Sequence, residues 1–106
     1  MIEVDNDSYE KEVEQSDIPV VVDLWGPQCE PCLALMPDVQ KLSKEYTGKV
    51  KFAKLNITGH RRLCIRLKVM SVPTILFYKA GEIVDRLSGD GVSIKAIKEK
   101  TDALLA

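Results

Sequence analysis

Val20-Val21-Val22-Asp23-Leu24-Trp25-Gly26-Pro27-Gln28-Cys29-Glu30-Pro31-Cys32 decides how this chain folds. Val20 to Trp25 has almost no polar alternation, the pattern of a central strand covered on both faces. A helical pattern leaves the other end, where Leu35, Met36, Val39, Leu42 and Tyr46 repeat at the spacing of one helix face. Pro37 lies inside that pattern. It removes one backbone hydrogen bond and should kink the helix rather than end it, because the periodicity resumes beyond. Two cysteines separated by two residues, between a buried strand and a helix start, make a redox pair the leading expectation.

Asp23 is the anomaly of the strand. A carboxylate there is expensive to ionise, so its pKa should rise by desolvation. It is either an acid near a strand end that solvent reaches, or a poised proton acceptor six residues before Cys29.

Upstream, Ile2 to Val4 reads as a short edge strand. Asn6 to Gln15 reads as a short helix, with a polar cluster suited to a cap and Tyr9 and Val13 at i,i+4 spacing. Pro19 cannot donate to a ladder and should open the strand that follows. Downstream, Gly48 is the expected left-handed cap of the long helix. Val50 to Ile57 is the next strand, with Val50, Phe52, Lys54 and Asn56 on one face and Lys51, Ala53, Leu55 and Ile57 on the other. Lys54 either snorkels outward or approaches Asp23 across neighbouring strands. A helical piece follows Thr58-Gly59-His60, with Leu63 and Leu67 inward. Arg61, Arg62 and Arg66 form a basic outer face, either plainly solvated or used for docking. His60 reads as a surface residue at the helix start. Cys64 reads as a small core or half-exposed residue, with a regulatory thiol as the alternative. Ile75 to Tyr78 is a strand, Lys79 to Glu82 a tight hairpin, and Ile83 to Leu87 its antiparallel return. Ser88-Gly89-Asp90-Gly91 is a corner before a last helix with Ile94, Ile97, Thr101, Leu104 and Leu105 on one face. This order predicts an α/β fold in which a central mixed sheet carries helices on both faces.

A chain of 106 residues predicts one domain spanning residues 1–106. The net charge of −1 gives no broad basic field, which argues against nucleic acid as the main partner. No apolar run approaches the roughly 18 residues that cross a bilayer. The acidic start, Met1 to Asp7, lacks the basic and apolar regions of a secretory signal, so the expected location is the cytoplasm. Three cysteines are too few for a disulfide scaffold. In a reducing compartment a close pair is catalytic or metal-binding rather than structural.

Several segments together resemble the thioredoxin family along nearly the whole chain. They are Val22-Asp23-Leu24-Trp25, Cys29 to Cys32 with Pro31, Pro37, Ala53-Lys54-Leu55-Asn56, Val72-Pro73-Thr74, Gly81-Glu82 and Gly89. The resemblance implies the thioredoxin fold and a cis Val72-Pro73 bond lying against the sulfurs. It also implies a thiol–disulfide oxidoreductase without a cofactor, acting as a monomer on protein disulfides and recharged by a thioredoxin reductase, either flavin-containing and NADPH-dependent or ferredoxin-linked. By this resemblance Cys29 attacks, Cys32 resolves, and Asp23 with Lys54 manages the proton. Trp25, Gln28, Glu30, Pro31, Val72, Pro73 and Gly89 shape the target groove.

The chain departs from the family's usual Trp-Cys-Gly-Pro-Cys by carrying Gln28 and Glu30. Gln28 removes an apolar aromatic contact from the docking face. Glu30 raises the Cys29 thiol pKa if its charge lies near the sulfur, and is a screened first-turn acid if it points to water. Two other classes compete: a metal-binding module using Cys29 and Cys32 with Cys64 and His60 as proposed extra ligands, and a partner-binding scaffold without turnover.

Overall fold

The computed structural model describes residues 1–106. Its strands are β1 (Ile2–Val4), β2 (Val20–Trp25), β3 (Lys51–Asn56), β4 (Thr74–Lys79) and β5 (Glu82–Ser88). Its α-helices are α1 (Glu30–Ser43), α2 (Arg61–Arg66) and α3 (Ile94–Leu104). The five strands form one sheet in the order β1-β3-β2-β4-β5. β3 runs parallel to both β1 and β2, β4 runs antiparallel to β2, and β5 runs antiparallel to β4. This is the mixed sheet that the alternation of segments predicts.

β2 sits in the middle because its residues can be dehydrated on both faces. Val20, Val22 and Leu24 face a core cluster that holds Tyr9, Val13, Leu63 and Leu67. Val21 faces the other cluster, with Val39 and Leu42 of α1 and Ile97 and Leu104 of α3. β3 divides in the same way: Phe52 joins the α1 and α3 side, and Ala53 and Leu55 join the α2 side. The strand alternation read from the sequence therefore places each apolar residue on its proper face.

α1 runs through Pro37, as the periodicity requires, and a 3₁₀ turn over Lys44–Tyr46 extends it. Gly48 follows with φ of 82°. The expected helix from Asn6 to Gln15 differs. Asp5 accepts hydrogen bonds from the Asp7 and Ser8 amides at 2.9 and 3.0 Å, and the chain then forms a π-helical turn over Glu10–Glu14. The wider turn closes with the Gln15 amide donating to the Glu10 carbonyl at 2.8 Å, and the Glu12 carbonyl accepts instead from the Lys51 ammonium at 2.9 Å. Tyr9 and Val13 are still buried, and the Tyr9 hydroxyl shares a 2.7 Å hydrogen bond with that of Tyr78. The last helix also differs at its end. α3 stops at Leu104, so Leu105 leaves the packed face and is exposed.

The β4–β5 hairpin carries a bulge. Phe77 pairs with Asp85 but Tyr78 pairs with Ile83, so Val84 is the extra residue. The bulge shifts the alternation by one. Ile83 can then pack on the Tyr78 side while Leu87 packs on the Ile75 side. The turn holds Ala80 at φ of 53° and Gly81 at 81°, the left-handed pair of a two-residue hairpin.

Gly81 and Gly48 share a left-handed backbone but differ in surroundings. A Cβ on Gly81 would meet the Glu14 carbonyl oxygen at 2.7 Å, whereas one on Gly48 would meet nothing within 4 Å. Gly48→Ala should lower the unfolding free energy by about 1 kcal/mol, the conformational cost alone. Gly81→Ala should lower it by about 2–4 kcal/mol, because a backbone overlap adds to that cost. Denaturant unfolding of the two variants checks this, and equal losses would rule out the overlap.

Candidate active site

Cys29 occupies the N-cap of α1 in an extended backbone conformation, and its sulfur accepts a 3.2 Å hydrogen bond from the Cys32 amide. A helix start presents unpaired N–H groups and a positive partial charge, which favour a thiolate over a thiol. Cys29 and Cys32 are joined as a disulfide with their Cα atoms 5.2 Å apart. Cys29 is half-exposed, while Cys32 is 1% exposed. One sulfur can therefore be approached from solvent and the other cannot.

Beside Cys29 lies a cavity of about 210 Å³ lined by Gly26, Pro27, Gln28, Cys29, Ile57, Thr58 and Val72. The Val72-Pro73 bond is cis, as the resemblance implies. Pro73 is buried, and its carbonyl accepts from the Gly89 amide at 3.1 Å, which ties the Gly89 corner to this loop. Gln28 and Val72 thus stand with Cys29, and Gly89 with Pro73. Glu30 and Pro31 occupy the first turn of α1, and both are exposed.

Asp23 lies under this surface. It shares a strand face with Val21, which packs on Val39 and Leu42 of α1. Two residues further along β2 the same face reaches toward the start of α1. Asp23 is 1% exposed, and neither carboxylate oxygen has a hydrogen-bond partner. Burial pushes its pKa up to about 7, against a smaller opposing pull from Lys54. Asp23 is therefore a buried acid rather than one at a strand end that solvent reaches. Lys54 is directly across from Asp23 in the β2–β3 register and is half-buried. Its ammonium lies 6.0 Å from the centroid of the Trp25 ring. Lys54 thus approaches Asp23 as one of the two sequence readings requires, with a cation–π contact in addition. Trp25 is half-buried, and its indole N–H has no partner.

Sequence reading missed Ile57 and Thr58. The strand pattern assigns Ile57 no role beyond the strand, yet its amide donates to the Trp25 carbonyl at 2.9 Å and the residue lines the Cys29 cavity. The rule that sites form beyond the carboxyl ends of parallel strands would have found both residues. The competing metal reading gains no ligand set, since no three His, Cys, Asp or Glu side chains converge. Cys64 packs against the α2-side core with its thiol pushed up by burial, and His60 precedes α2 with its Nδ1 2.6 Å from the Asn56 carbonyl.

The thioredoxin family model matches residues 1–103. The chain is 49% identical over 88 residues to a thioredoxin of Acetoanaerobium sticklandii, covering 83% of this chain and 84% of that one. It is 41% identical over 106 residues to a thioredoxin of Peptoclostridium acidaminophilum, covering 100% of this chain and 93% of that one. It is 34% identical over 87 residues to thioredoxin 1 of a Nostoc species, covering 82% and 81%.

The dehydrated Asp23 sets a pH dependence of stability. Its folded pKa of about 7 lies above the 3.8 of an ordinary solvated aspartate. Below both values each state is protonated and nothing is lost. As pH rises between them the unfolded chain sheds its proton first, so stability falls, and it levels off above about 7. The ionised carboxylate then opposes folding by roughly 2–4 kcal/mol. Asp23→Asn should raise the unfolding free energy by about that amount at pH 8.5 and by less than about 1 kcal/mol at pH 4. A gain of equal size at both pH values in denaturant titrations would contradict the assignment.

Proposed function

The chain belongs to the thioredoxin family, and from that premise we propose that Cys29 is its attacking sulfur and Cys32 its resolving one. It is a thiol–disulfide oxidoreductase; such proteins act on protein disulfides and are themselves reduced by a thioredoxin reductase. The observation that carries the assignment is the asymmetry of the pair: Cys29 is half-exposed at a helix start, and Cys32 is buried one turn in.

In the reduced protein the Cys29 thiolate attacks one sulfur of a target disulfide. The target's other sulfur leaves as a thiolate, and a mixed disulfide joins Cys29 to the target. Asp23 takes the proton of the Cys32 thiol. Cys32 then attacks the Cys29 sulfur, and the target leaves as a dithiol after protonation of its sulfurs. Two electrons pass to the target, and the protein is left with the Cys29–Cys32 disulfide. A carboxylate with a pKa of about 7 exchanges protons readily near neutral pH, which suits this step. Lys54 tunes that acid through its charge and steadies the Trp25 ring. Trp25, Gln28, Glu30, Pro31, Val72, Pro73 and Gly89 form the surface that receives the target.

Residues 1–106 act as one monomeric domain in a reducing compartment, the cytoplasm. One sheet joins all parts of the chain, and no helix is long and apolar enough to cross a membrane.

Cys29→Ser should abolish reduction of an insulin-type protein disulfide, while Cys32→Ser should accumulate mixed disulfides on Cys29 detectable by mass spectrometry. Turnover in the Cys29→Ser variant would overturn the assignment. Asp23→Asn should slow resolution by about 10-fold at pH 7 and remove the rise in rate centred near that pH.

A further inference from the structure

A second groove, of about 650 Å³, is lined by Arg61, Ile65, Lys68, Val69 and Met70. Met70 is 96% exposed and Ile65 64%, the most exposed of the chain's large apolar side chains. Side chains of this kind in an unpartnered groove mark a contact surface, and the flexible thioether of Met adapts to varied partners.

The groove is also cationic. From Thr58 to Met70 the chain carries Arg61, Arg62, Arg66 and Lys68 and no acid, although its net charge is −1. Arg66 is neutralised by Glu14, to which it donates at 2.8 and 3.3 Å. Arg61, Arg62 and Lys68 take part in none of the chain's ion pairs. The placement of the two arginines does not serve α2. Arg61 and Arg62 stand in its first turn, where the helix dipole disfavours cations, and Arg62 sits at i,i+4 from Arg66. Lys68 adopts φ of 58°, a conformation that glycine takes without strain.

This groove adjoins the Cys29 cavity. Met70 is two residues from Val72, and Arg61 three residues from Thr58; Val72 and Thr58 both line the cavity. Two peptide units hold the Met70 and Val72 Cα atoms within about 7 Å.

We propose that the Arg61–Met70 groove docks an acidic, apolar segment of the substrate protein beside the disulfide that Cys29 attacks, so that it selects substrates by charge. The proposal rests on Cys29 being the attacking sulfur. A second copy of this chain is a poor occupant, because a two-fold contact would oppose Arg61, Arg62 and Lys68 to themselves. A nucleic acid is a poor one too, since Thr58 to Met70 offers no Phe, Tyr or Trp for stacking.

The test is single-turnover reduction by the dithiol-reduced protein of three synthetic peptides. They share one disulfide loop and differ in a flanking segment: Glu and Leu, Gln and Ser, or Lys and Leu. The acidic, apolar peptide should react about 10-fold faster than the neutral one at low ionic strength, and most of that advantage should vanish in about 0.5 M salt. The double variant Arg61→Ser, Lys68→Ser should remove the charge preference. Met70→Ser should narrow the remaining difference, and both variants should leave the neutral peptide's rate unchanged. Equal rates for all three peptides with the unaltered protein would overturn the docking proposal while leaving the Cys29 assignment standing. So would variants that slow every peptide alike, or a dimer by sedimentation that Met70→Ser converts to monomer. Reduction of the peptides by Cys29→Ser protein would instead defeat the underlying assignment and the proposal with it.

Discussion

Neither oxygen of the Asp23 carboxylate has a hydrogen-bond partner, and water is excluded from it. A strand such as β2 would be more stable with an apolar residue at that place, because an ionised, unpaired carboxylate is among the most costly groups to bury. Dehydration of this completeness needs a middle strand with both faces packed. β2 meets the requirement: it is flanked by β3 and β4, and Val20, Val21, Val22 and Leu24 are buried around the acid. The burial that opposes folding at neutral pH is the same burial that carries the proton affinity up to about 7. Lys54 moderates that affinity without ion-pairing at contact distance, so the acid still gains and loses a proton near neutrality.

The change of strand direction across β2 gathers the rest of the site. β3 is parallel to β2, so the end of β3 lies beside the end of β2, with Asn56 opposite Trp25. β4 is antiparallel to β2, so its beginning lies there as well, with Thr74 opposite Leu24. β5 is antiparallel to β4, and its end returns to the same edge, with Ser88 opposite Thr74. Four segments distant in sequence thereby meet on one rim: Trp25 to Cys29, Ile57 and Thr58, Val72-Pro73, and Gly89. A sheet parallel throughout would send the Val72-Pro73 loop to the opposite edge, away from the sulfurs.

What could be read from the chain alone was whatever depends on local pattern. β2, α1, the Gly48 cap and the face alternation of β3 each follow from residue spacing within one segment, and the structure agrees with each. The left-out parts depend on neighbours distant in sequence. The π-helical turn at Glu10–Glu14 reflects carbonyls engaged elsewhere, as when Lys51 takes the Glu12 carbonyl. The Val84 bulge arises because Ile83 and Leu87, at matching strand phase, pack on opposite faces of the sheet. Leu105 fits the α3 periodicity but falls beyond the point where the helix ends. Ile57 and Thr58 were unreadable as site residues until β3 was known to lie beside β2. The cis Val72-Pro73 bond followed from family resemblance and from nothing in the neighbouring residues.

Chemistry and selectivity occupy different depths in this molecule. Cys32, Asp23 and Pro73 are buried, and a substitution at any of them disturbs packing or an ionisation equilibrium that the fold has already shifted. Gln28, Glu30, Arg61, Lys68 and Met70 are exposed, and exchanging one exposed side chain for another typically moves stability by under about 0.5 kcal/mol. The residues that depart from the family's usual motif, Gln28 and Glu30, belong to this exposed set. A thiol–disulfide exchanger built in this way can change the partners it meets without altering the buried proton acceptor. The cationic groove extends the same logic. Arg61 and Arg62 stand where the α2 dipole disfavours them, so folding alone gives no reason to keep these two side chains. Selection on what approaches Cys29 supplies one, because charge at the rim of a docking surface acts on the rate of encounter while the sulfur chemistry beneath it stays the same.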